Sequence, residues 1–136
     1  MTVMLIDPRR DFTIECPDGA ALLIRDRQGR IGGNLRTRGG KQVAWTNRAH
    51  EPACFLKFTR LFPDDVEAPA DQPIWPFEDP EPNDPCAPEP RLLRLPFSSG
   101  VTVKLLSSSR LECVEYVVLG STGQPLLDPV IIIEPN

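Results

Sequence analysis

The sequence predicts an all-β domain folded as a two-sheet sandwich, and three observations point there. Short apolar or alternating runs, each bounded by turn residues, recur along the whole chain, which is the pattern of strands. Helical periodicity is scarce. Sixteen prolines in 136 residues, about twice the usual share, break long helices, because each removes a backbone donor and clashes with the preceding turn. Many short strands separated by turns indicate a sandwich or barrel.

Taken in order, the candidate strands are residues 3–6, 12–16, 21–25, 34–36, 42–46, 54–60, 92–95, 101–106, 111–119 and 130–133. The turns between them fall at Pro17-Asp18-Gly19, Gln28-Gly29, Gly32-Gly33, Gly39-Gly40, Ser99-Gly100 and Ser121-Thr122-Gly123, where glycine supplies positive φ and proline presets a negative one. Alternation selects the inward faces. Val43 and Trp45 share one face; Cys54, Leu56 and Phe58 share another, opposite Lys57 and Thr59, so the apolar sets should face the core. In 111–119 the expected core face is Val114, Tyr116 and Val118, because burying Glu115 on the other face would be costly. The run 130–133 is apolar on both faces and is expected inside a covered sheet.

At 136 residues the chain fits one domain, 1–136, with a core large enough to need no staples. Residues 62–90 stand apart as an acidic, proline-rich insertion loop. They hold nine prolines and nine acidic residues with no lysine or arginine. A helical turn at 63–66 is expected there, and the apolar cluster Ile74, Trp75 and Phe77 should tie part of the loop to the sandwich. Loops of this length in compact domains are usually functional or disordered. The stretch 25–60 is its opposite in charge: Arg25, Arg27, Arg30, Arg36, Arg38, Lys41, Arg48, Lys57 and Arg60 against Asp26 and Glu51. The plain expectation is that loop and basic surface lie together and partly cancel. The sharper one is that the basic face binds an anionic partner.

The formal charge of −4 suits a soluble protein. The chain opens without the basic start and apolar run of a signal peptide, and no apolar stretch is long enough to cross a bilayer. The cytoplasm is therefore the expected location, and no membrane role is expected. Cys16, Cys54, Cys86 and Cys113 form no CxxC pair and are expected as reduced thiols.

Gln42-Val43-Ala44-Trp45-Thr46-Asn47, then 54–58, a long variable loop, Val101-Thr102-Val103 after a glycine, and Glu115-Tyr116-Val117-Val118 resemble the cupredoxin-like family over about residues 20–120. An immunoglobulin-like sandwich shares much of this pattern. The resemblance implies an antiparallel Greek-key sandwich. The ending, Leu127-Asp128-Pro129 through Glu134-Pro135-Asn136, is similar to small uncharacterised bacterial proteins named for a terminal Asp-Pro and Glu-Pro pair (DP-EP). That similarity implies a small bacterial β-sandwich with no established activity. Blue copper needs two histidines, a cysteine and an axial methionine. The chain has one histidine, His50, and its methionines are Met1 and Met4, so no copper and no other cofactor is expected.

The remaining chemistry is sparse. His50 with Cys54 could begin a zinc site or a Cys-His pair, but no orienting residue or further ligand stands near them in sequence. Ser107-Ser108-Ser109 reads as a polar turn. Asp64-Asp65 and Glu78-Asp79 lie on the proline-rich loop, where solvation is expected rather than acid-base work. No catalytic residue is assigned and an enzyme is not expected. The expected function is a non-enzymatic protein-interaction or accessory module of a bacterial system. Its partner would be held by Ile74, Trp75 and Phe77 and by Arg36, Arg38 and Lys41, since Trp and Arg are frequent hot-spot residues. The alternatives are anion or nucleic-acid binding through a basic hairpin at 25–48, a metal-dependent enzyme or carrier, and self-association through an uncovered C-terminal strand.

Overall fold

The computed structural model describes residues 6–16, 22–49, 51–61, 73–82, 84–85, 87–107, 109–120, 125–127 and 129–135. The expected strand at 3–6 and the helical turn at 63–66 lie largely or wholly outside them. After a 3-10 turn at Pro8–Arg10, whose first amides are capped by Asp7, the described residues form strands only. These are β1 (Asp11–Glu15), β2 (Leu23–Asp26), β3 (Leu35–Arg38), β4 (Gln42–Asn47), β5 (Ala53–Arg60), β6 (Pro73–Ile74), β7 (Leu92–Pro96), β8 (Gly100–Lys104), β9 (Glu112–Leu119), β10 (Pro125–Leu127) and β11 (Val130–Glu134).

The strands make two sheets. The first has the order β2-β1-β4-β8; the second runs β3-β11-β9-β5-β6, with β10 also on β9 and β7 also on β5. Their facing sides form one apolar core. Phe12, Ile14, Ile24, Val43, Trp45 and Val103 enter it from the first sheet, and Leu56, Phe58, Leu95, Val114, Tyr116 and Ile131 from the second. Trp45 is fully buried at its centre. Its ring lies 6.1 Å from Phe12, 6.0 Å from Phe58, 5.4 Å from Tyr116 and 6.3 Å from Phe77.

The sandwich and its inward faces agree with the sequence expectation; the purely antiparallel pairing does not. β1 runs parallel to β4, and β3 parallel to β11. Each parallel pair joins strands far apart in the chain, as parallel strands must, because they need a crossover rather than a tight turn. The C-terminal strand also differs. β11 lies between β3 and β9, so it is interior rather than an uncovered edge. Only Ile131 and Ile133 are buried; Val130 and Ile132 stay half-exposed on the outer face. Pairing on both sides satisfies the backbone of β11 but buries only the side chains turned to the first sheet, because successive side chains point to opposite faces. β10 and β11 follow each other along the same side of β9, and the Tyr116 amide donates to Pro129 O at 2.8 Å at the break between them.

Two buried polar anchors fix the corners. Tyr116 Oη donates to Gly33 O at 2.6 Å. Gly33 has φ of +76°, and a Cβ there would come 2.7 Å from that hydroxyl, so only glycine fits. Asn47, fully buried, donates from Nδ2 to Leu95 O at 3.0 Å and accepts the Ala49 amide at 3.0 Å. It ties the end of β4 in the first sheet to β7 in the second.

The buried core makes stability sensitive to alkali. Burial pushes the Cys54 thiol up to about 12 and the Tyr116 phenol well above its usual value. In the unfolded chain these groups ionise near ~8.5 and ~10. Only the unfolded chain releases their protons in this window, so stability is intact below about pH 8.5 and falls as pH rises toward about 12. The guanidinium chloride midpoint is expected to hold steady near neutrality and then decline above about pH 9, with a smaller decline in Cys54→Ala. A midpoint that stays flat through this range contradicts the burial of both groups.

Candidate functional site

The described part of the acidic segment closes one flank of the sandwich. β6 pairs with β5 at the edge of the second sheet, Ile74 opposite Phe58. Three residues on from Ile74, the chain reaches the edge of the first sheet. Phe77 bridges to Leu105, the Glu78 amide donates to Lys104 O at 2.8 Å, and the Lys104 amide donates to Asp79 Oδ1 at 2.7 Å. Phe77 is buried, edge-on to Phe58 at 4.8 Å and to Trp75 at 5.0 Å. Trp75 is half-buried and donates from Nε1 to Asp79 O at 2.7 Å. Ile74, half-buried beside them, packs on the same core. The three apolar residues singled out from the sequence are thus brought together, as a strap between the sheets.

Beyond the strap the segment crosses the outer face of the second sheet. Ala87 packs on a small second core of Phe55, Leu92 and Leu119. Four of the described acidic residues are paired: Glu78 with Lys104 (3.1 Å), Glu81 with Arg91 (2.9 Å), Asp84 with Arg94 (3.9 Å) and Glu89 with Lys57 (2.9 Å). Loop and cations do lie together here, but three of these four cations follow the segment in sequence. Among the described residues, Lys57 alone represents the basic stretch 25–60.

That stretch is not a hairpin. β2 and β4 belong to the first sheet and β3 to the second, so residues 25–48 cross between the layers twice and their charges spread over different faces. Arg25 pairs with Glu15 at 3.0 Å and Arg27 with Asp11 at 3.6 Å, both on β1. Arg36 Nε lies 2.6 Å from Glu134 Oε1. Arg30, Arg38, Lys41 and Arg48 are exposed, and no ion pair is formed by them among the described residues. Arg36 and Arg38 share the outer side of β3. Lys41 lies past the Gly39-Gly40 turn and close to the strap, since its carbonyl accepts the Leu105 amide at 3.0 Å and Leu105 bridges to Phe77; β3 and the strap's β6 are at opposite ends of the second sheet.

The flank opposite the strap, between β2 and β3, holds a cleft of about 340 Å³. Phe12 and Leu35 form its floor, and Arg9, Arg30, Ile31 and Arg36 stand on its rim. The return from β2 to β3 is tightly held. Asp26 Oδ1 accepts the amides of Gln28 and Arg30 at 2.9 Å each, and the Gly32 amide donates to Ile24 O at 2.9 Å. Ile31 is bridged to Arg25 yet remains 65% exposed. Arg9 is partly engaged, since its hydrogen bonds to Asp7 hold that carboxyl well below the usual carboxylate range.

A second cleft of about 210 Å³ sits at the end of the strap, between Trp75, Leu106, Val114 and Ile133, with Arg60 and Glu112 3.4 Å apart at its mouth. It is smaller than ordinary ligand pockets of roughly 300–1,000 Å³, and its two charges face each other. Among the described residues no three His, Cys, Asp or Glu side chains are placed to hold a metal ion. Cys54 is sealed in the core with its thiol strongly disfavoured from ionising, which leaves it a poor nucleophile. His50 and Cys86 lie outside the described residues. Among the described residues no helix is long and apolar enough to cross a membrane.

The sequence already sets Arg30 and Arg36 in one basic stretch, but it does not single out Ile31 or bring Arg9 beside them. A usable signal existed in Arg30-Ile31-Gly32-Gly33: a large apolar residue inside an arginine- and glycine-rich return has no strand pattern to take it into the core. Comparison of the chain with family models, with curated proteins and with solved structures finds no match in any of the three.

Proposed function

We propose that this protein is a non-enzymatic interaction module of a bacterial system, a cupredoxin-like sandwich without the copper ligands, and that it holds its partner on the β2–β3 flank. The observation that carries the reading is Ile31, an apolar side chain held out in solvent beside three guanidinium groups over a cleft. An exposed apolar anchor ringed by arginine is a composition common at hot spots. The cupredoxin-like part is supported by the Trp45-Thr46-Asn47 strand end, whose asparagine clamps the two sheets. The reading gives Ile74, Trp75 and Phe77 to the closure of the opposite flank.

The second reading is a polyanion such as nucleic acid, favoured by the exposed cations Arg30, Arg38, Lys41 and Arg48. Trp45, the ring nearest them in sequence, is fully buried and offers no stacking platform.

Capture of partners on the immobilised protein separates these outcomes. A partner retained by wild type and by Trp75→Ala, and lost by Ile31→Asp, supports the flank reading. Loss with Trp75→Ala alone, in a folded variant, contradicts it. Salt-sensitive retention of an oligonucleotide in place of a protein supports the second reading.

A further inference from the structure

β3 is the end strand of the second sheet, and its one strand neighbour is β11. Among the described residues no backbone hydrogen bond reaches the other side of Leu35–Arg38. The two edges of the first sheet are more covered, and β7 of the second sheet is capped in part by the buried Asn47 side chain on Leu95 O. β2 is met by the return through Ile31, with bonds from Asp26 N to Arg30 O and from Gly32 N to Ile24 O. The end of β8 is met by the strap at Glu78 and Asp79. An open edge is a template for another strand.

The side chains along β3 specify what that strand should carry. Arg36 and Arg38 are exposed on the outer side; Leu35 is buried and Thr37 half-buried on the inner side. Leu35 also forms part of the floor of the 340 Å³ flank cleft. A strand added beside β3 would set one row of its side chains next to the two arginines and the alternate row toward the cleft. Arg38, which forms no ion pair among the described residues, and Arg36, which shares its charge with Glu134 at 2.6 Å, favour acids in the first row, and the apolar floor of Phe12 and Leu35 favours apolar residues in the second. A second copy of β3 fits poorly, because pairing it with itself brings arginines together.

We infer that the β3 edge accepts an extended protein segment of alternating acidic and apolar residues, which joins the second sheet as a further strand. The inference rests on the flank reading above and adds to it the partner class and the mode of binding.

The test uses the full chain and a short fluorescent peptide alternating glutamate and valine, measured by anisotropy. Wild type is expected to bind it. The double variant Arg36→Glu, Arg38→Glu is expected to weaken binding at least ~10-fold; both side chains are exposed, and circular dichroism confirms that the variant is folded. N-methylation of alternate peptide amides on the pairing edge is expected to abolish binding, because it removes the backbone donors that strand addition requires. Equal binding of the methylated peptide overturns strand addition while leaving the flank as a binding surface. Unchanged binding by the double variant overturns the role of β3. No binding of the peptide, while polyglutamate or an oligonucleotide binds in a salt-dependent way, overturns the inference in favour of simple anion binding.

Discussion

Trp45→Ala is expected to lower the stability of the protein by about 3–5 kcal/mol, a large part of the roughly 5–15 kcal/mol margin of a folded domain. Trp45 is fully buried and is the ring on which both layers converge. Phe12 reaches it from its own sheet, Phe58 and Tyr116 from the other, and Phe77 from the strap. Truncation would leave a cavity bounded by two sheets, each held by its own backbone ladder, so collapse to fill it is limited. Chemical denaturation should show the midpoint of the alanine variant far below wild type, or no cooperative transition at all. Trp45→Phe keeps an aromatic ring at the centre and should lose markedly less. Similar small losses for both would mean that the sheets do not depend on this ring.

Phe77→Ala is the second large effect, at about 3 kcal/mol. The ring is 3% exposed and sits edge-on to Phe58 and Trp75, in the arrangement aromatic pairs prefer. Its loss removes the apolar anchor of the strap, whereas the hydrogen bonds between Glu78, Asp79 and Lys104 lie toward solvent and hold less. The expected signature is therefore double: a fall of about 10 °C or more in the thermal midpoint, and faster proteolytic cleavage around residues 73–82 below that midpoint. Trp75→Ala, at a half-buried position, should show the second change with a smaller first one. Cleavage unchanged from wild type would remove the strap role of Phe77.

Much of the core was legible because side chains in a strand alternate between faces. Cys54, Leu56 and Phe58, Val43 and Trp45, and Val114, Tyr116 and Val118 all point inward, as their alternation indicated. The same rule placed Phe55 on the solvent side with Lys57 and Thr59. There it forms a second small core with Leu92 and Leu119, under the acidic segment that alternation cannot see. The parallel pairings were illegible for a related reason. A local pattern states which face is apolar, and not which distant strand lies alongside. β6 and β10 are two and three residues long, each opening on a proline, too short to carry a period.

The candidate site was half legible. Composition found the charge asymmetry and the apolar cluster, and offered them as two features that would hold a partner. The structure divides the basic set: Ile74, Trp75 and Phe77 close one flank with Lys41 nearby, and Arg36 stands with Arg9, Arg30 and Ile31 on the other. Those four residues come from the 3-10 turn, the return after β2 and β3. Only the packing of two sheets brings them together.

The most direct measurement is a nuclear magnetic resonance titration of isotope-labelled protein with the alternating acidic peptide. Amide shifts are expected at Arg30, Ile31 and along β3 from Leu35 to Arg38, with Ile74 through Asp79 unmoved. Shifts centred on Trp75 and Phe77, with β3 silent, would contradict it.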